Sequence, residues 1–236
     1  MKNKKKNQIK VYQDKKKDII ELLIQPTVKI AEFLTGILVS ETKDLKLSGC
    51  RIIQAVIKNN NLTQLGREIE EYTKKGQIKE DYLESSLNQA TITELLNFID
   101  EEVIDEVRFK AMKSIFFSSV ENNSDDQKES LAYELLQICK ELTSGDILIL
   151  KATFEILKNP GDIDVKDNAA NKWINNISKK IGHNLPSLIT YHENHLMDLN
   201  LISPRIHNDR SGIVTGKYYR LSDLGYTLCE FITKYD

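Results

Sequence analysis

His192 and His195 stand three residues apart beside Glu193 and Asp198, a spacing that sets two imidazoles on one side of a helix. With Cys229 as a remote third ligand, the pair could seat a metal ion. The run His192-Glu193-Asn194-His195 is one residue short of the zinc-protease spacing, however, and no third ligand lies at metal-motif distance. Packed or surface histidines are the better reading, and no metal is expected. The carboxylate runs Asp100-Glu101-Glu102 and Asp105-Glu106 have acid–base potential, but solvated loops and helix N-termini account for them. The chain has neither a phosphate-cradling glycine loop nor a nucleophile elbow. A non-enzymatic protein without a cofactor or an evident small-molecule substrate is therefore expected. A nuclease or hydrolase assembled from scattered residues is the catalytic alternative, since such sites need not be contiguous in sequence.

A second constellation suits nucleic acid. Lys172, Lys179 and Lys180 fall on one expected helix, and Arg205, Arg210 and Lys217 on an expected hairpin. Ser187, Thr190, Tyr191 and Asn194 fall on the outer side of the helix between them. The cations could hold phosphates. Ser, Thr and Asn can read base edges, with Asn pairing well with adenine. The intervening helix carries no Arg or Lys, the side chains that make the commonest specific base contact. The competing reading is an interaction module with an ordinary mixed surface.

The elements that would position these residues are legible from caps and periodicity. Thr143-Ser144-Gly145-Asp146 is a capping box, and it opens a helix over 144–157 that ends at Asn159-Pro160-Gly161. Asp167 caps a second helix over 168–181, with Trp173, Ile174 and Ile177 inward and Gly182 as its stop. Asn184 and Pro186 open a third, whose apolar positions are Leu188, His192 or Tyr191, Leu196 and Leu199. A strand then starts at Leu199–Ile202, His207–Gly212 has the composition of a hairpin tip, and Ile213–Leu221 returns as a second strand. Ser222 caps a closing helix carrying Leu224, Leu228 and Phe231. Three helices, a two-stranded wing and a last helix, in that order, make a winged helix over 143–236.

The front reads as all helix. Residues 1–17 are a basic lead expected to be a frayed terminus, with contact to phosphate or anionic lipid as the functional alternative. Residues 18–142 are expected to form a helical domain. Asp18–Ser40 is strongly apolar but interrupted by Glu21, Lys29 and Glu32 and divided by Pro26. It reads as a core or oligomer-contact helix rather than a membrane span. Helices follow over 45–58, from Leu62 to a stop at Gly76, over 81–99 with a break near Asn88–Thr91, over 105–120 and over 130–142. Asn59–Asn61 divides the first two, and Glu121–Lys128 is a loop.

Charge narrows where a polyanion could sit. Residues 1–20 hold eight lysines against two aspartates, and 80–155 hold seventeen acidic side chains against six basic ones. Residues 158–222 hold nine basic against six acidic, together with all four histidines. The acidic middle is no nucleic-acid surface, whereas the two ends could be. Cys50, Cys139 and Cys229 lie far apart in apolar surroundings. That fits buried free thiols in a reducing, cytoplasmic setting. No signal peptide is visible.

The stretch from His195 to Ile232, HLMDLNLISPRI…YYRLSDLGYTLCEFI, resembles the ending of many bacterial winged-helix domains. Asn200 stands in place of their turn glycine, and Ser222-Asp223 and Gly225 open the last helix. Asp209-Arg210-Ser211 resembles the wing tip of MarR-type regulators. Gln25–Ser40, Arg108–Val120, Leu131–Leu150 and the winged ending together resemble the Abi-alpha family of abortive-infection proteins, with Thr143-Ser144-Gly145-Asp146 in the place of that family's Ser-Pro-Asp-Glu cap. This resemblance implies a role in bacterial phage defence and supplies no catalytic residues. The expectation is thus a mainly α protein: a helical front, then a winged helix that binds nucleic acid or is regulatory. The alternative is an adaptor that oligomerises or holds a partner protein without touching DNA.

Overall fold

The computed structural model describes residues 49–99, 105–159, 170–182, 185–203 and 220–235, with the side chains of 49–59 and 170–172 outside the description. These residues are mainly helical. The helices are α1 (Gly49–Lys74), α2 (Ser86–Ile99), α3 (Glu106–Ser119), α4 (Asp126–Glu141), α5 (Ser144–Lys158), α6 (Ala170–Ile181), α7 (Pro186–Asp198) and α8 (Asp223–Thr233). Among the described residues there is no β-strand. There are two isolated antiparallel bridges, Ile78 with Glu121 and Ile202 with Leu221. The basic lead, the apolar stretch 18–40 and most of the expected wing, 204–219, lie outside the described residues. No described helix is long and apolar enough to cross a membrane.

The chain divides into two compact units, one of residues 1–104 and 119–133, the other of 105–118 and 134–236. In the first, α1 runs unbroken through Asn59–Asn61, where a division was expected. Each Asn costs a helix well under about 1 kcal/mol, and no Gly or Pro accompanies them, so propagation continues. The helix stops where Gly76 takes φ +65°. There the Gln77 amide donates to the Tyr72 carbonyl and the Gly76 amide to Thr73, a Schellman ending. α2 starts at Ser86, later than the expected 81, because turns occupy 81–85, and it passes through Asn88–Thr91 without a break. Asp125 accepts from the Lys128 amide at 2.9 Å, which starts α4 at Asp126 and shortens the expected 121–128 loop. The buried Glu129 takes hydrogen bonds from Ser85 at 2.5 Å and Lys79 at 3.3 Å.

The second unit holds the remaining helices. Asp105 caps α3 by accepting from the amides of Val107 and Arg108, and its other oxygen takes the Ser144 hydroxyl. Both halves of the α5 capping box are present: the Thr143 hydroxyl accepts from the Asp146 amide, and the Asp146 carboxylate accepts from the Thr143 amide. α5 packs against α6, α7 and α8, and α6 against α7. Its buried Ile147, Leu150 and Phe154 share this core with Trp173, Ile177, Ile189, Leu196 and Leu228. Cys139 and Cys229 are buried free thiols, the latter directed at the Leu150 carbonyl.

Two positions explain how α7 ends and how α8 is seated. Asn200 ends α7 at φ +56°, a left-handed conformation that Asn adopts more readily than other side-chain-bearing residues. A Cβ on Gly225 would run into the Leu201 backbone carbonyl, so α8 seats against the chain only with glycine there.

Candidate functional site

α7 is the element on which the candidate residues converge. Its N-cap is Leu185, without a side-chain hydrogen bond, and Pro186 occupies the first turn. The expected cap Asn184 lies outside the described residues. The expected inward face is corrected. Ile189, Glu193 and Leu196 are buried, whereas Leu188 is 44% and Tyr191 65% exposed. Leu196 is inward as expected, whereas in the first two turns Ile189 and the carboxylate of Glu193 take the inward positions.

That carboxylate is held by Trp173 and Arg220. Trp173 Nε1 and Arg220 Nη2 each donate to Glu193 Oε1 at 2.7 Å. The Arg220 guanidinium lies 5.4 Å from the Trp173 ring centroid, and its Nη1 donates to the Ser203 carbonyl. The Ser203 amide donates back to the Arg220 carbonyl at 2.7 Å, next to the Ile202–Leu221 bridge. Arg220 takes φ +65°, a strained conformation for a non-glycine residue, held here by these contacts. One buried ion pair therefore fixes α7 to α6 and to both chain ends that flank 204–219.

The histidines meet a second carboxylate. His192 Nδ1 lies 2.8 Å from Asp146 Oδ1, and His195 Nδ1 lies 2.9 Å from Asp146 Oδ2. An ionised carboxylate only accepts, so both Nδ1 atoms carry the hydrogen. Burial alone would raise the Asp146 carboxyl. The hydrogen bonds from the Thr143 hydroxyl and amide, then those from His195 and His192, more than offset this and hold it below its ordinary value of 3.8. The geometry gives both rings one carboxylate partner. The nitrogens facing Asp146 are committed, and among the described residues no group of three or more His, Cys, Asp or Glu could hold an ion.

The residues expected to meet nucleic acid are placed as follows. Ser187, Tyr191 and Asn194 are exposed on α7, and Thr190 is half-buried with its hydroxyl donating to the Pro186 carbonyl. Lys179 and Lys180 are exposed at the end of α6, and Lys180 reaches Glu155 at 3.3 Å. Lys172 falls in α6 with its side chain outside the description, and Arg205, Arg210 and Lys217 lie outside the described residues. The outer face of α7 is apolar at its N-terminal end. Leu185 (56% exposed), Leu188 and Tyr191 are three of the four large exposed hydrophobic residues among those described. Sequence reasoning placed Tyr191 outward but not Leu188, and it gave neither the burial of Glu193 nor the pairing of Asp146 with the two histidines. The signal for Glu193 was its position between Ile189 and Leu196, at helical spacing from both.

Compared with protein-family models, curated proteins and solved structures, the chain matches none of them.

Proposed function

We propose that residues 143–236 form a winged helix acting as a non-enzymatic docking module, and that the outer face of α7 holds a partner protein. The observation that carries this reading is the cluster of Leu185, Leu188 and Tyr191 on the helix that a DNA-reading winged helix would place in the major groove. Large exposed apolar side chains gathered on one face mark protein contact sites. Tyr is enriched in such contacts. A groove-reading helix would be expected to offer cations instead, and α7 has no Lys or Arg. The wing, with Ile202 and Leu221 at its base, is part of the proposal.

Nucleic-acid binding is the second reading, favoured by the exposed Lys179 and Lys180 beside α7 and by the cations Arg205, Arg210 and Lys217 in the sequence. The buried thiols Cys139 and Cys229 support a cytoplasmic setting. The resemblance to the Abi-alpha family supports one in phage defence. Titration with duplex DNA at low and moderate salt separates the two readings. The docking reading expects no steeply salt-dependent binding. Tight binding at low salt that is lost on charge reversal of Arg205, Arg210 and Lys217 would establish the nucleic-acid reading instead.

A further inference from the structure

We infer that the occupant of the α7 face is a second copy of this chain, held across a two-fold axis that passes beside Leu188. This rests on the reading of that face as a docking site and names what fills it. Leu185, Leu188 and Tyr191 follow one another at three-residue steps, so they form a short ridge from the N-cap through the second turn of α7. All three are exposed. The Tyr191 ring stands nearly perpendicular to the His192 ring, with 5.3 Å between centroids, and His192 is in turn fixed to Asp146 at 2.8 Å. The ridge is thus ordered before any contact forms, which lowers the cost of binding.

Charge separates a like partner from an unlike one. Between Leu185 and Met197, α7 exposes no Lys, Arg, Asp or Glu, because Glu193 is buried on Arg220. The other exposed positions of this stretch are Pro186, Ser187 and Asn194. In an isologous contact each face meets its own copy, so exposed charges of one sign would be set against themselves. An uncharged ridge escapes that penalty. A face that selects an unlike protein ordinarily carries charges that steer the encounter and exclude wrong partners, and this stretch of α7 offers none.

Leu188 lies midway along the ridge. With the α7 helices of two copies antiparallel across the axis, Leu188 meets Leu188 and each Leu185 meets Tyr191 of the other copy. Every ridge side chain then gains an apolar neighbour, and Ser187 and Asn194 are left at the polar rim. Two-fold dimers are also the commonest soluble homo-oligomers. The ridge offers on the order of a few hundred Å² per copy, less than the roughly 800 Å² that each partner gives a standard interface. The dimer therefore belongs to the weak, reversible class, with a dissociation constant on the order of tens of micromolar.

The test is sedimentation equilibrium of the full chain over about two decades of concentration around tens of micromolar. The mass of wild type should rise from 27.1 kDa toward twice that value. Leu188→Glu and Leu188→Lys each set two like charges together at the axis. Each should weaken association at least about tenfold while its urea unfolding midpoint stays close to wild type. An equimolar mixture of the two variants sets unlike charges together and should associate at least about tenfold more tightly than either variant alone. That rescue belongs to a two-fold contact at Leu188, because contact with any other face of the chain gains nothing from mixing. A wild type that stays at 27.1 kDa throughout overturns the second-copy inference. So does a dimer that both Leu188 variants leave unchanged, or a mixture no tighter than its components. The docking reading is separable: a monomeric wild type whose Tyr191 crosslinks to another protein in cells keeps that reading and sinks only the second copy.

Discussion

Removing the cation from the Glu193–Arg220 pair should unfold the C-terminal helices more readily than any surface change. The two side chains are 2% and 1% exposed, so in Arg220→Met the Glu193 carboxylate loses its guanidinium partner where water cannot reach it. Breaking a pair buried to this degree costs about 3–5 kcal/mol, because one uncompensated charge stays behind. Glu193→Leu should cost a similar amount by stranding the guanidinium. The double variant Glu193→Leu/Arg220→Met removes both charges together and takes the Glu193 acceptor from the Trp173 indole, at about 1–3 kcal/mol. The double variant should therefore be more stable than either single one, a strongly non-additive cycle. Urea unfolding read through Trp173 fluorescence reports directly on the site, since that indole is bound to Glu193. Single-variant losses below about 1 kcal/mol that simply add in the double would refute the claim that this pair joins α6, α7 and the chain at Arg220.

Three further outcomes follow from the geometry. Gly225→Ala sets a Cβ against the Leu201 carbonyl and should cost about 3 kcal/mol in thermal or urea unfolding, because backbone cannot step aside as a side chain can. The depressed Asp146 carboxyl contributes stability that is fully present above its unfolded value of 3.8 and is lost as pH falls through its lower folded value. Wild type should therefore lose stability more steeply than Asp146→Asn below about pH 4 in acid titrations of urea unfolding. Burial pushes the Cys139 thiol up to about 12 and raises Cys229 as well, so in a Cys50→Ser background neither should react with a thiol reagent at pH 8 until the protein unfolds.

Local grammar was readable from the sequence, and long-range pairing was not. The Thr143/Asp146 capping box, the glycine stop at Gly76 and the inward Trp173, Ile174 and Ile177 depend on residues within one or two turns of each other. Asn200, noted as standing in for a turn glycine, takes the left-handed conformation that such a position requires. The partner of His192 and His195 lies 46 and 49 residues upstream, and no spacing rule links a capping carboxylate to imidazoles on another helix. The face of α7 was misassigned for the same reason. Periodicity counts Leu188 as core and passes over Glu193, but Trp173 and Arg220 supply the hydrogen bonds that let a carboxylate be buried. The three asparagines at 59–61 were read as a break because their unfavourable propensity was weighed without the rest of the 26-residue helix around them.

The docking role of α7 is tested most directly by placing a photo-crosslinking amino acid at Tyr191 and irradiating cells that express the full chain. The α7 face should yield a discrete protein adduct that disappears when Leu188→Glu is added, while the unfolding midpoint of that variant stays close to wild type. Crosslinking to nucleic acid alone, or a protein adduct indifferent to Leu188→Glu, would contradict it.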